Sequence, residues 1–252
     1  FTASTIFTVS ATLTARPMNE RPLEIVSDGL KLQGVLTAPE KDFWPLVILC
    51  HGFLSHKDSS KYKQLAQIFA QESIATVRFD FRGCGESEGL LSESSISRRW
   101  RDLQRVVDES LDLDDFDGRL GLLGSSLGGY LALLEVSRNS KVRCAAVWST
   151  PSHLLDLAKR LPEISPVEFS QECHEDLLTV ELLSRLKNVQ RVLIVHGQED
   201  QQVPPDHASR LYEVLDEPKA LHMLEKADHR FSEVESREEA IRVTLEWFKK
   251  YL

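Results

Sequence analysis

The sequence predicts an α/β fold, with a mostly parallel central sheet, helices on both faces and a short helical lid. Three observations carry this expectation. Short continuous apolar runs recur along the chain, and such runs belong to strands covered on both faces. Segments with apolar residues at helical spacing lie between them. An Asp28-Gly29 pair between two alternating runs marks a hairpin at the start.

Taken in order, Leu23 to Leu36 reads as that hairpin. Leu46 to Cys50 is the first buried run. Tyr62 to Gln71 follows as a helix with Leu65, Ile68 and Phe69 on one side. Ile74 to Phe79 is a second buried strand, ending in the turn-rich Asp80-Phe81-Arg82-Gly83-Cys84-Gly85. Ile96 to Leu111 reads as a long helix, with Trp100, Leu103, Val106 and Val107 inward. Strand, helix, strand then follow at Leu120–Gly124, Leu127–Val136 and Val142–Trp148. The last units are a strand at Arg191–Val195, a helix at His207–Leu215, a strand at Ala220–Leu224 and a helix at Glu238–Tyr251. Repeated strand–helix units imply right-handed crossovers and a parallel sheet. The interval 151–189 breaks the rhythm and carries Pro151, Pro162 and Pro166. Its two expected helices, Leu154–Leu161 and Leu177–Leu186, read as a lid over the carboxyl edge of the sheet.

A chain of 252 residues is long enough for one large core. The domain is expected at 23–252, with an extension at 1–22. Residues 1–17 lack the basic start and apolar stretch of a secretory signal, and Met18 reads as a plausible start. The net charge of -9, with scattered basic residues, argues against nucleic-acid binding. No stretch is apolar enough for a membrane span. Cys50, Cys84, Cys144 and Cys173 show no CxxC spacing. Buried thiols and a cytoplasmic location are the expectation, with oligomeric state left open.

Active sites in such sheets lie at the carboxyl ends of strands. After the strand at 120–123 stands Gly124-Ser125-Ser126-Leu127-Gly128, which matches G-x-S-x-G between a strand and a helix. A sharp turn there lifts Ser126 above the sheet at a helix N-terminus. Ser125 is the rival nucleophile but occupies the wrong place in the turn. A serine hydroxyl needs a base, and His229 follows the last strand. Asp200, after the strand at 191–195, is the candidate orienting acid, with Glu199 as its rival. The N–H groups of Phe53 and Leu127 are the candidate oxyanion donors. Phe53, Trp148, His153, Leu154, Phe169 and Leu177 are the candidate pocket lining. No H-E-x-x-H spacing or phosphate loop is present, so no metal or organic cofactor is expected.

These segments resemble the α/β-hydrolase superfamily, and in particular its compact microbial esterases of the feruloyl or cinnamoyl type. The chain is also similar to serine aminopeptidase and acylaminoacyl-peptidase-like hydrolases. The marks are His51-Gly52-Phe53, the run Asp80 to Gly89, the turn at Ser126, the loop Gly197 to Pro204 and the segment Ala227 to Phe231. The resemblance implies the α/β-hydrolase fold and a triad of Ser126, Asp200 and His229. It also implies an oxyanion donor at Phe53 and a supporting role for the turn at Arg82. The expected activity is hydrolysis of carboxylic esters of small acyl substrates through an acyl-enzyme. Thioesters and peptides are the alternative substrates, and a ligand-binding module without turnover is the alternative class.

Overall fold

Alternation in the first two runs closes them into an antiparallel hairpin, β1 (Met18–Ser27) and β2 (Leu30–Pro39). The turn passes through Asp28 and Gly29 at φ 49° and 80°, a region glycine enters without cost. The computed structural model describes residues 18–252. Residues 1–17, and the expectations placed on them, lie outside the described part. Residues 18–22 are the first half of β1, paired with β2.

The buried runs form β3 (Trp44–Cys50), β4 (Ala75–Phe79), β5 (Phe116–Ser125), β6 (Val142–Trp148), β7 (Val192–Gly197) and β8 (Lys219–Leu224). They assemble into one eight-stranded sheet in the order β1-β2-β4-β3-β5-β6-β7-β8. The hairpin joins through the antiparallel β2–β4 pair, and every later pair is parallel.

Helices α1 (Ser60–Gln71) and α7 (Val234–Tyr251) cover one face. There Tyr62, Leu65, Phe69, Trp247 and Phe248 pack on Val47, Leu49, Cys144 and Val195. Helices α2 (Ile96–Leu111), α3 (Leu127–Val136) and α6 (Asp206–Val214) cover the other face. There Leu103, Val106, Leu131 and Leu211 meet Leu46, Ile48, Leu122 and Ile194. Neighbours along β3 thus serve opposite layers, which is why its apolar run is unbroken.

The lid holds α4 (Leu155–Ile164) and α5 (Gln171–Thr179), with a 3₁₀ turn at Leu183–Arg185. The expected helix at Leu177–Leu186 is therefore corrected. The Ser170 hydroxyl accepts the Cys173 N–H and starts α5 earlier, and Val180 ends it in an extended conformation. Leu177, Leu182 and Leu186 are all buried, but across a break in the helix. Two acids of the lid are tied down: Glu172 pairs with Arg98 at 2.6 Å, and Asp176 accepts the Ser97 N–H at 2.7 Å. All four cysteines are free and buried. No helix among the described residues is long and apolar enough to cross a membrane.

Candidate active site

The glycines around Ser126 are there for space. A Cβ on Gly124 would overlap the Gly128 carbonyl, and one on Gly128 would overlap the Cys50 carbonyl. Strand β5, helix α3 and the end of β3 can touch only because those side chains are missing. Ser126 itself sits at φ 56°, ψ -123°, a strained conformation for a residue with a Cβ. Its N–H is fixed to the Trp148 carbonyl at 2.8 Å, so the sheet holds the strain in place. The serine hydroxyl has no hydrogen-bond partner among the described residues and opens on a cleft.

His229 lines the same cleft. Its Nδ1 stands 2.8 Å from Oδ2 of Asp200. The other oxygen of Asp200 accepts the N–H groups of Gln202 and Val203, both at 2.9 Å. Burial alone would raise the Asp200 carboxyl. The His229 hydrogen bond and charge and the Val203 N–H outweigh it, and the net value lies below the ordinary range. His196, beneath Asp200, gives its Nε2 proton to the Val203 carbonyl at 2.8 Å, and burial holds the ring below its ordinary pKa.

The strand-end loop after β3 is pinned from below. His51 accepts the Phe81 N–H on Nε2 at 3.1 Å and turns Nδ1 to the Gly52 carbonyl at 2.7 Å. Burial first, then Arg99, bring its pKa down to about 3, so it is a neutral strut. Neither the Phe53 nor the Leu127 N–H has an acceptor among the described residues. Both residues border the cleft beside Ser126. Two unpaired donors at a helix start and a strand end suit an oxygen that gains charge. The turn at 80–89 is support. Asp80 holds the Lys57 ammonium at 3.0 Å, and Arg82 is forked on Asp102.

Of the six expected pocket residues, Phe53 and His153 line the cleft. Trp148, Leu154, Phe169 and Leu177 do not. Trp148 is fully buried against Phe231 in the layer under α7, and Phe169 stacks behind Phe53 at 5.5 Å. Leu154 and Leu177 are packed inside the lid. The residues that sequence reasoning missed are chiefly Asp156, Leu157, Arg160 and Ile164 on one face of α4, with Gln202, Val203 and His207 opposite. The four-residue spacing of 156, 160 and 164 was the available signal.

A second serine–histidine–aspartate set lies in the cleft wall. His207 Nδ1 faces Ser152 Oγ at 2.9 Å, and its Nε2 lies 3.8 Å from Asp156. The Ser152 N–H also donates to that Nδ1, at 3.0 Å. Burial, with the neighbouring His153, depresses the His207 pKa, so the ring is neutral. His153, Asp156 and His207 bring three possible metal-ligand atoms within 4.8 Å of one another. The Ser152 N–H on Nδ1 leaves the ring proton on Nε2, where a metal would bind, so the set fits a cation poorly.

A glycine-flanked serine turn, a histidine–carboxylate pair and two N–H groups without acceptors lie together over a parallel sheet, the layout of a serine-hydrolase site on the α/β-hydrolase fold. Residues 44–191, more than half of the chain, match the serine aminopeptidase S33 family, and the chain belongs to it. It is 31% identical over 121 residues to a 31.7 kDa protein of the traX-finO intergenic region of Escherichia coli, a match covering 47% of this chain and 41% of that one. It is 26% identical to the pig acylamino-acid-releasing enzyme across 89% of this chain and 34% of that one. The chain thus spans well under half the length of these relatives. In fold it is similar to Est1E of Butyrivibrio proteoclasticus, solved with ferulic acid, with TM-score 0.80 and 20% identity over 91% of this chain and 98% of that one. In fold it is also similar to the esterase PF2001 of Pyrococcus furiosus, with TM-score 0.78 and 19% identity over 93% of this chain and 91% of that one.

Proposed function

We propose that the protein hydrolyses carboxylic esters of small acyl substrates through an acyl-enzyme on Ser126. The observation that carries this reading is the strained Ser126 turn opening on the same cleft as a histidine already held by a buried carboxylate. His229 Nε2 takes the Ser126 proton as Oγ attacks the carbonyl carbon. Asp200 fixes the imidazole and stabilises its cation. The N–H groups of Phe53 and Leu127 receive the tetrahedral oxygen. The His229 proton leaves with the alcohol. Water, deprotonated by the same nitrogen, then attacks the acyl-enzyme, releases the acid and restores Ser126. The Ser126 hydroxyl is unpaired among the described residues, and catalytic hydrogen bonds of this kind tighten when substrate arrives.

Ser152 is the competing nucleophile, because its hydroxyl already touches a histidine. Three features favour Ser126 over it. Ser152 is 1% exposed, its His207 partner also accepts the Ser152 N–H, and the Asp156 contact is beyond hydrogen-bond reach. The four free buried thiols suit a cytoplasmic setting, which we infer on that ground.

The test is labelling with a fluorophosphonate and turnover of p-nitrophenyl esters from acetate to cinnamate. Ser126→Ala is expected to lose labelling and about 10⁴-fold or more in kcat. Ser152→Ala is expected to keep both within about fivefold. The reverse outcome transfers the nucleophile to Ser152. The acyl panel tells plain from aromatic acids, and aminoacyl anilides and acyl thioesters test the peptidase and thioesterase alternatives.

A further inference from the structure

Lys61 is the second residue of α1, shortly after the loop that carries Phe53. Its Nζ donates to the Ser125 hydroxyl at 2.9 Å, one residue before the elbow serine. The ammonium lies 5.1 Å from the Tyr62 ring centre and 5.9 Å from that of Trp148. No carboxylate lies within salt-bridge distance of it among the described residues, although the buried cations Lys57, Arg78 and Arg82 each have one. The proposed reaction leaves this residue unused.

What surrounds the contact gives it meaning. Tyr62, the next residue of α1, gives its hydroxyl proton to the Cys50 carbonyl at 3.2 Å, at the end of β3. Two neighbouring residues of α1 therefore hold the residue before the elbow serine and the end of β3, from which the 51–53 loop leaves. Those two segments carry the N–H groups of Leu127 and Phe53. Lys61 is the half of this tie that reaches the elbow.

We propose that Lys61 is a positioning residue for the oxyanion hole: its ammonium, lodged on Ser125, locks the elbow against the 51–53 loop and so sets the spacing of the two N–H donors. The inference rests on the reading of Ser126 as nucleophile and of Phe53 and Leu127 as its oxyanion donors. A hydrogen bond from a charged donor is roughly twice as strong as a neutral one, so the lock weakens when the ammonium loses its proton.

The surroundings put that loss in a measurable range. Burial first, then the like charges of Arg237 and Arg230, draw the Lys61 pKa down to about 8. Arg230 comes from the loop after β8 and Arg237 from α7. From β3 and its loop come the Cys50 thiol, held protonated by burial, and the neutral His51. Tyr62, on α1 itself, is held protonated by burial. None supplies a negative charge near neutral pH. The sign follows: Lys61 is charged below its lowered value, and the lock loosens as pH rises through it.

The experiment compares wild type, Lys61→Met and Lys61→Arg in the hydrolysis of a short p-nitrophenyl ester from roughly pH 6 to pH 10. Active sites are counted with a fluorophosphonate, and circular dichroism checks the fold. Wild-type kcat is expected to fall across an alkaline limb near the lysine's value. Lys61→Met should lower kcat about tenfold at neutral pH, with KM within about twofold, and should lack that limb. Lys61→Arg should keep most of the wild-type kcat and carry no limb below about pH 10, because a guanidinium stays charged. A folded Lys61→Met variant with wild-type kcat and an unchanged limb overturns the inference. If Lys61→Met does not fold, a Lys61→Arg limb that coincides with wild type overturns it equally. Labelled, active wild type with indifferent Lys61 variants sinks this inference alone. Wild type that is neither labelled nor active, or labelling and turnover that survive Ser126→Ala, sinks the Ser126 reading beneath it.

Discussion

The Nδ1 of His229 is held 2.8 Å from a carboxylate oxygen of Asp200 whose partner oxygen is already saturated by two backbone N–H groups. The carboxylate cannot turn without losing those bonds, so the ring is held in one orientation with Nε2 toward the cleft. Asp200→Asn keeps the shape but offers an N–H or a weaker acceptor to Nδ1. The wrong tautomer then carries its proton toward Ser126. We expect kcat for ester hydrolysis to fall by about 10²–10⁴-fold at neutral pH, with KM nearly unchanged. Single-turnover kinetics check it, and a loss of less than about tenfold removes Asp200 from the reaction.

His51 gives a prediction about stability rather than rate. Burial and Arg99 depress its folded pKa to about 3. In the unfolded chain the ring takes a proton near pH 6.5, roughly its ordinary value. A depressed folded pKa contributes stability that is present above the unfolded value. It is lost progressively as pH falls from there toward the folded value. His51→Gln removes the titration while keeping an acceptor for the Phe81 N–H. Its urea midpoint should therefore change less than that of wild type between roughly pH 6.5 and pH 4, even if it starts lower. Parallel curves would show that His51 is not the neutral strut described above.

Gly128 sets two effects against each other. It lies in the first turn of α3, where alanine would gain about 1 kcal/mol in helix propensity. The added Cβ would overlap the Cys50 carbonyl, which is backbone and cannot rotate away. Overpacking against a fixed group costs about 1–3 kcal/mol or more and pushes the elbow off the end of β3. Overlap wins. Gly128→Ala should lower the thermal midpoint by several degrees and cut kcat by more than about tenfold, since Leu127 and Phe53 lose their common aim. A stable, fully active variant would mean that the elbow and β3 are not in contact.

Much of this is legible in the chain's residues alone. The parallel order follows from unbroken apolar runs, and Ser126, Asp200 and His229 each follow such a run, so the carboxyl edge gathers them. The pocket is not legible in the same way. Trp148 looks like lining because it ends β6, yet strand alternation turns it toward α7 and Phe231. Lid packing defeats local reading further. Leu177, Leu182 and Leu186 share a buried side through a helix, an extended residue and a 3₁₀ turn, which no single period describes. His207 reads as an ordinary helical residue, and only the tertiary approach of Ser152 and α4 turns it into part of the cleft wall.

The cleft face of α4 should decide how long an acyl chain the enzyme takes. Leu157 and Ile164 are partly buried and line the cleft with Leu127 and Val203, so an acyl chain gains roughly 0.8 kcal/mol for each methylene it buries there. Ile164→Trp fills part of that space from the lid, away from the elbow and the His229 loop. Acetate, too short to reach the lid, should keep its kcat/KM within about twofold. Hexanoate and longer esters should lose roughly tenfold, because about two buried methylenes are worth that factor. Comparing p-nitrophenyl acetate, butyrate, hexanoate and octanoate on both proteins measures it. An equal loss on all four would mean that the Ile164→Trp indole disturbs the reacting groups, and no loss on any would place the acyl chain on another side of Phe53.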